Sequence, residues 1–170
     1  MPEREPDHVD RIVAQWHRER PDLDVSTLAL LARLFRVVHL ADRELARGTA
    51  VHGLRPGWFD LLATLRRAGP PYELNPTDLI DATMLSSGGV TKRLDRLAKA
   101  GFVQRRPDPD DRRGTLVRLT CKGRAIIDRA LNVHVASEQR LLAPLSRADR
   151  GVLDRLLRKL LAELDPNGRS

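Results

Sequence analysis

Aromatic residues are scarce in this chain of 170: three Phe, two Trp and one Tyr make up 4% of it, although 41% is hydrophobic. A β-sandwich or barrel draws heavily on aromatic and β-branched side chains. A core drawn mainly from Leu, Val, Ala and Ile points instead to packed helices. Cysteine is nearly absent, and the single Cys121 cannot close an internal disulfide, which fits a reducing compartment. Long apolar runs are missing as well. Nothing approaches the roughly 18 apolar residues of a membrane span, and the opening MPEREPDHVD lacks the apolar stretch of a secretion signal. The expected location is the cytoplasm.

Several kinds of chemistry are missing too. There is no glycine-rich phosphate loop, no nucleophile elbow and no convincing carboxylate pair, so the chain does not read as an enzyme. His8, His17, His39, His52 and His134 are scattered, with no Cys pair and no His-Glu-x-x-His spacing, so neither a metal site nor a cofactor is expected. Positive charge is what the chain does have. Thirty Lys and Arg against 23 Asp and Glu leave +7, and most of the cations are Arg, whose planar fork suits phosphate and guanine. An arginine-rich proteome would produce the same bias, so charge alone only suggests a nucleic-acid partner.

Apolar spacing supplies the elements. Val9, Ile12, Val13 and Trp16 share one face of a short helix that Pro21 ends. Ser26 is expected to cap a long helix through about Arg47, closed by Gly48. Pro56 suits the first turn of a third helix, WFDLLATLRRA, which stops at Gly69, Pro70 and Pro71. Asn75, Pro76 and Asp78 open a short helix to about Thr83. Ser86 is expected to cap the next, with Val90, Leu94 and Leu97 inside and Gly101 at its end. Two helices at this spacing read as a helix-turn-helix.

FVQRR and TLVRLT then read as two strands around the turn PDPDDRRG, a hairpin with a basic tip. A helix follows Thr120 and runs to about Leu142, where Pro144 breaks the pattern. Ser146 and Asp149 form a capping box for a last helix striped with Val152, Leu153, Leu156, Leu157, Leu160, Leu161 and Leu164. That stripe is too apolar for a lone helix in water. The two terminal regions, about 1–48 and 121–170, are therefore expected to join in a homodimer, with about 55–120 as the DNA-binding part of a single domain.

The stretch MLSSGGVTKRLDRLAKAGFVQRRPDPDDRRGTLVRLTCKG closely resembles the signature of the MarR family of transcriptional regulators. In that signature Ser-Ser-Gly opens the recognition helix and Asp-x-x-Asp-Arg-Arg, here Asp108, Asp111, Arg112 and Arg113, forms the wing. HGLRPGWFDLLATLRRAG likewise resembles the helix that precedes the reading head. The resemblance implies a mainly α, winged helix-turn-helix fold with a small β-hairpin wing and dimerisation helices at both ends. Small residues at Ser86, Ser87 and Gly88 let a helix N-terminus approach a phosphate. Thr91, Lys92 and Arg93 follow on the helix, and Arg106 on the strand beyond is counted with them. Arg112 and Arg113 are expected to reach the minor groove, with Asp108 and Asp111 holding them by ion pairs. The expected partner is a palindromic double-stranded operator.

The opening DRIVAQWHRERPDLD resembles the additional first helix of a urate-responsive branch of the family. That branch's ligand residues match Trp16, Asp60, Arg93 and Arg105. Trp16 could stack on a purine, Arg105 could pair with its charge, and Asp60 could pull on Arg93. Other roles stay open for these four: core packing for Trp16, a structural ion pair for Asp60, and phosphate contacts for the two arginines. The sequence departs from the usual pattern at Trp58, which replaces a common acidic residue, and at Cys121 and Lys122. Two alternatives remain: a thiol sensor through Cys121, which stands beside Lys122 near an expected helix N-terminus, and a sequence-blind architectural DNA binder.

Overall fold

The computed structural model describes residues 5–83, 89–109, 111 and 114–165. The chain divides into two compact units, residues 1–44 and 45–170. In the first, α1 (His8–Glu19) opens on a capping box. The Asp7 carboxylate accepts from the N–H groups of Val9 and Asp10, at 2.7 and 2.9 Å, while the Asp10 carboxylate accepts from the Asp7 N–H. Arg33, on α2 (Ser26–Ala50), reaches back to the same cap, its Nε donating to Asp7 at 2.8 Å and its Nη2 donating to Asp10.

Two expected boundaries of α2 move. Ser26 is its first residue rather than its cap, because Asp24 supplies the acceptor for the Ser26 N–H at 2.9 Å. Gly48 does not close the helix, which runs on to Ala50. A Cβ at Gly48 would lie 3.1 Å from the Ser137 hydroxyl, so this glycine serves a close approach instead.

The second unit holds the main core. Around α3 (Trp58–Arg67) are β1 (Glu73–Leu74), α4 (Pro76–Asp81), α5 (Val90–Lys99), β2 (Val103–Pro107), β3 (Thr115–Leu119) and α6 (Cys121–Leu141). Leu61, Leu62 and Leu65 of α3 meet Leu79 of α4, Val90, Leu94 and Leu97 of α5, Val117 of β3, and Ile127 and Ala130 of α6. Each of the larger side chains contributes about 1.5–3 kcal/mol by leaving water. Trp58 joins this cluster edge-on to Phe102, ring centroids 6.0 Å apart, so the unusual aromatic has become core. Arg66 of α3 also donates to Asp128 of α6 at 2.7 Å.

Caps decide most of the helix starts. Asn75 caps α4 by accepting from the Asp78 N–H, and Thr120 caps α6 by accepting from the Gly123 N–H. The Ser146 and Asp149 box opens α7 (Arg147–Leu164) as expected. Pro56 falls short of its expected place, since α3 begins at Trp58 with Gly57 as N-cap. For α5 the N-cap is Gly89, while the expected cap Ser86 lies outside the described residues.

Strands β2 and β3 form the expected hairpin, with Val103 opposite Leu119 and Arg105 opposite Val117. The sheet has a third strand that the sequence reading missed. β1 pairs antiparallel with β3, placing Glu73 opposite Arg118, and the order is β1-β3-β2. Two residues are too few to show an alternating pattern, and their partner lies far along the chain. The architecture is thus a mainly α winged helix-turn-helix with helices before and after it.

Candidate nucleic-acid interface

The three apolar positions of α5, Val90, Leu94 and Leu97, are buried against the core, which turns the opposite face outward. Thr91 and Lys92 are exposed on that face, and Arg93 is half-buried beside it. A polar and cationic outer face on the second helix of a helix-turn-helix is what base edges and phosphates require. Ser86, Ser87 and Gly88, expected to open this helix, lie outside the described residues, as do the wing arginines Arg112 and Arg113.

The wing turn is shaped by its own backbone. The Asp108 N–H donates to the Gly114 carbonyl at 3.1 Å, and the Gly114 N–H donates to the Asp111 carbonyl at 2.8 Å. Asp108 and Asp111, with Asn75 and Asp78 at the start of α4, line a cleft of about 430 Å³ between α4 and the wing. Three carboxylates, those of Asp78, Asp108 and Asp111, are thus brought to one cleft.

Of the residues expected to bind a small anion, the structure brings Arg93 to the start of α3. Its side chain passes over the N-cap Gly57, where a Cβ would sit 2.8 Å from the Arg93 Nε. Gly57 has φ 76°, and Asp60 occupies the first turn of the same helix, half-buried. Phe59, next to Asp60, stacks on His134 of α6 with ring centroids 4.1 Å apart. The first turn of α3 is therefore in contact with both α5 and α6. Arg105 has a partner of its own: its Nη2 donates to Asp95 of α5 at 2.8 Å, because its place opposite Val117 puts it on the face of the sheet that α5 packs against. Trp16 belongs to the other unit, on α1, and is 42% exposed.

Arg106, expected at the DNA, has a partner within the sheet. Its Nη2 donates to Glu73 at 2.7 Å. Sequence reasoning missed Glu73, since a lone glutamate after a Pro-Pro turn carries no signal until β1 is seen to pair with β3. Gly57 was missed in the same way, because only the tertiary path of Arg93 gives it a purpose. Cys121, the first residue of α6, is exposed. Among the described residues no group of His, Cys, Asp and Glu could hold a metal ion, and no helix is long and apolar enough to cross a membrane.

Comparison with known proteins places these features in context. A family model described as MarR family matches residues 52–114, the stretch from before α3 to the wing. Across 159 residues the chain is 40% identical to the HTH-type transcriptional regulator PecS of Dickeya dadantii, covering 94% of this chain and 96% of that one. It is 32% identical to the multiple antibiotic resistance protein MarR of Escherichia coli, covering 75% and 90% respectively. A crystal structure of a mutant MarR from E. coli complexed with operator DNA superposes with a TM-score of 0.70 at 30% identity, covering 81% of this chain and 97% of that one.

Proposed function

Because the chain belongs to the MarR family of DNA-binding transcriptional regulators, which are not enzymes, we propose that it is a dimeric repressor that a small aromatic anion such as urate releases from a palindromic operator. The observation that carries the DNA part is the outward face of α5, with Thr91 and Lys92 exposed opposite a fully buried stripe. Ser86, Ser87 and Gly88 ahead of that helix, and Arg112 and Arg113 in the wing, complete the contact set on the strength of the sequence signature. The dimer part is supported by α7, none of whose residues is buried although its apolar stripe is long. A second copy is the partner that such a stripe fits, and two-fold pairing presents two recognition helices to successive major grooves. Residues of about 1–48 and 121–170 supply that pairing in this reading, while about 55–120 bind DNA.

The release step is supported by the crossing of Arg93 over the start of α3. An anion bound there would repel the Asp60 carboxylate, which would then pull on Arg93, while Arg105 would exchange Asp95 for the charge of the ligand. Any shift of Arg93 moves a residue of the recognition helix itself. The ligand thus has a differential contact with two positions of α5, which a shift of population requires. The sequence resemblance alone assigns Trp16 to the same ligand.

A gel-shift titration on the upstream intergenic DNA, with and without millimolar urate, tests both parts. Urate is expected to release the DNA, and Asp60→Asn or Arg105→Ala to abolish that response while leaving specific binding in place. Tight specific binding that urate does not affect would keep the regulator and remove the ligand. Equal binding to unrelated DNA would favour a sequence-blind binder.

A further inference from the structure

One face of the sheet carries an ion cluster that the α5 surface does not use. Glu73 of β1 stands opposite Arg118 of β3, which stands opposite Gln104 of β2, and Arg106 lies two residues further along the same face. The other face holds Val103, Val117 and Leu119 in the core. Although β1 is an edge strand, the Glu73 side chain is only 11% exposed. One of its carboxylate oxygens accepts from Arg106 Nη2 at 2.7 Å, and the other lies 4.0 Å from Arg118 Nε. Since β1 and β2 are not neighbours in the sheet, this carboxylate reaches over β3 to hold a strand on the far side. It faces two guanidiniums at once, and the Arg106 Nε and the second Glu73 oxygen are buried with no hydrogen-bond partner.

We propose that Glu73 is an internal stand-in for phosphate, a positioning residue that keeps Arg106, and more loosely Arg118, away from the DNA backbone. The inference rests on the DNA-binding reading above. A carboxylate and a phosphate present the same paired oxygens to a guanidinium, so the two compete for it directly. Arg106 is the last residue but one of the strand that leads into the wing turn, so it is placed to meet a backbone if it is let go. A free arginine there binds the phosphates of any sequence equally well. Each such contact steepens the salt dependence of binding by about 0.9 and strengthens non-specific association. In a chain already at +7, a withheld pair of arginines raises the ratio of specific to non-specific binding. Glu73 also lies just ahead of Asn75, the cap of α4, so the same contact joins the wing hairpin to the helix-turn-helix.

The test is a fluorescence-anisotropy titration of the full chain over a range of salt, on a duplex from its upstream region and on a random duplex. Glu73→Gln keeps the shape and removes the charge. The slope of log K against log salt is expected to steepen by about one per protomer for each arginine released. Random-duplex affinity rises several-fold, and the specific ratio falls. Adding Arg106→Gln to that variant makes the slope shallower again by about one per protomer, the share that Arg106 contributed. A merely structural Glu73 would instead weaken both complexes with no steeper slope. An unmoved or shallower slope in a folded Glu73→Gln variant overturns the inference alone, whereas no binding by the parental chain overturns it together with the DNA-binding reading. Should Glu73→Gln fail to fold, Arg106→Gln alone decides. A parental slope supports the proposal, and a slope shallower by about one means Arg106 already touches phosphate and defeats it.

Discussion

At Gly57 the absence of a side chain decides where an arginine can lie. Its φ of 76° is left-handed, and the space a Cβ would take is filled by Arg93 Nε at 2.8 Å. Gly57→Ala therefore has two costs: about 1 kcal/mol for the backbone conformation, and a forced displacement of Arg93. We expect unfolding in denaturant to show a loss of about 1–2 kcal/mol. Operator binding, or its response to an anion, should weaken beyond what that loss explains. A variant that loses stability but binds and releases DNA as before would reduce the crossing to mere packing. The same scale governs Arg105 and Arg106, for which the sequence shows a charge but not a partner. The partners, Asp95 and Glu73, come from other elements.

Among the elements, α1 depends on a charge that pH can remove. The Arg33 guanidinium, hydrogen-bonded to Asp7, is the first cause holding that carboxyl well below its ordinary value near 3.8, followed by the backbone N–H groups of Asp10 and Val9. A carboxyl depressed in the folded state stabilises fully above its unfolded pKa and stops doing so as pH falls through the folded one. The contribution of Asp7 should thus be complete above about pH 4 and fade with further acid. Thermal melts followed by circular dichroism check this. The parental chain should melt above Asp7→Ala near neutrality, and the gap should shrink below about pH 4. A gap that is constant across that range would mean Asp7 acts without its charge. Helix starts of this kind were largely legible, since caps are local: Asn75, Thr120 and Ser146 all act within a few residues of themselves. Ser26 misled because Asp24, two residues earlier, was the better acceptor.

For the whole molecule, the question is what covers α7. Leu153, Leu156, Leu160, Leu161 and Leu164 are between 39% and 79% exposed, a continuous apolar face of the kind that monomers seldom leave in water. If a second copy covers it, a charge there is expensive. Leu156→Glu with Leu160→Glu should shift the protein towards monomer in sedimentation analysis. Operator affinity should fall by more than about tenfold, because each half-site then binds without the other. A protein that stays dimeric with both changes would place the two-fold axis elsewhere. Both carboxylates sit on a helix with no buried residue, so the variant should keep the fold of the DNA-binding core.

The helical class, the helix-turn-helix and the inner stripe of α5 were readable from the chain alone, because caps, breakers and a period of 3.6 residues act between near neighbours. The cationic outer face of α5 was readable for the same reason: once the stripe is placed, its opposite follows. What the sequence could not determine were the relations between distant segments. The third strand, the Glu73 clamp on Arg106, the diversion of Arg105 to Asp95 and the route of Arg93 over Gly57 all join residues from different elements. Only the tertiary structure decided these, because which carboxylate meets which guanidinium depends on strand register and helix packing, and neither is encoded in the spacing of residues along one element.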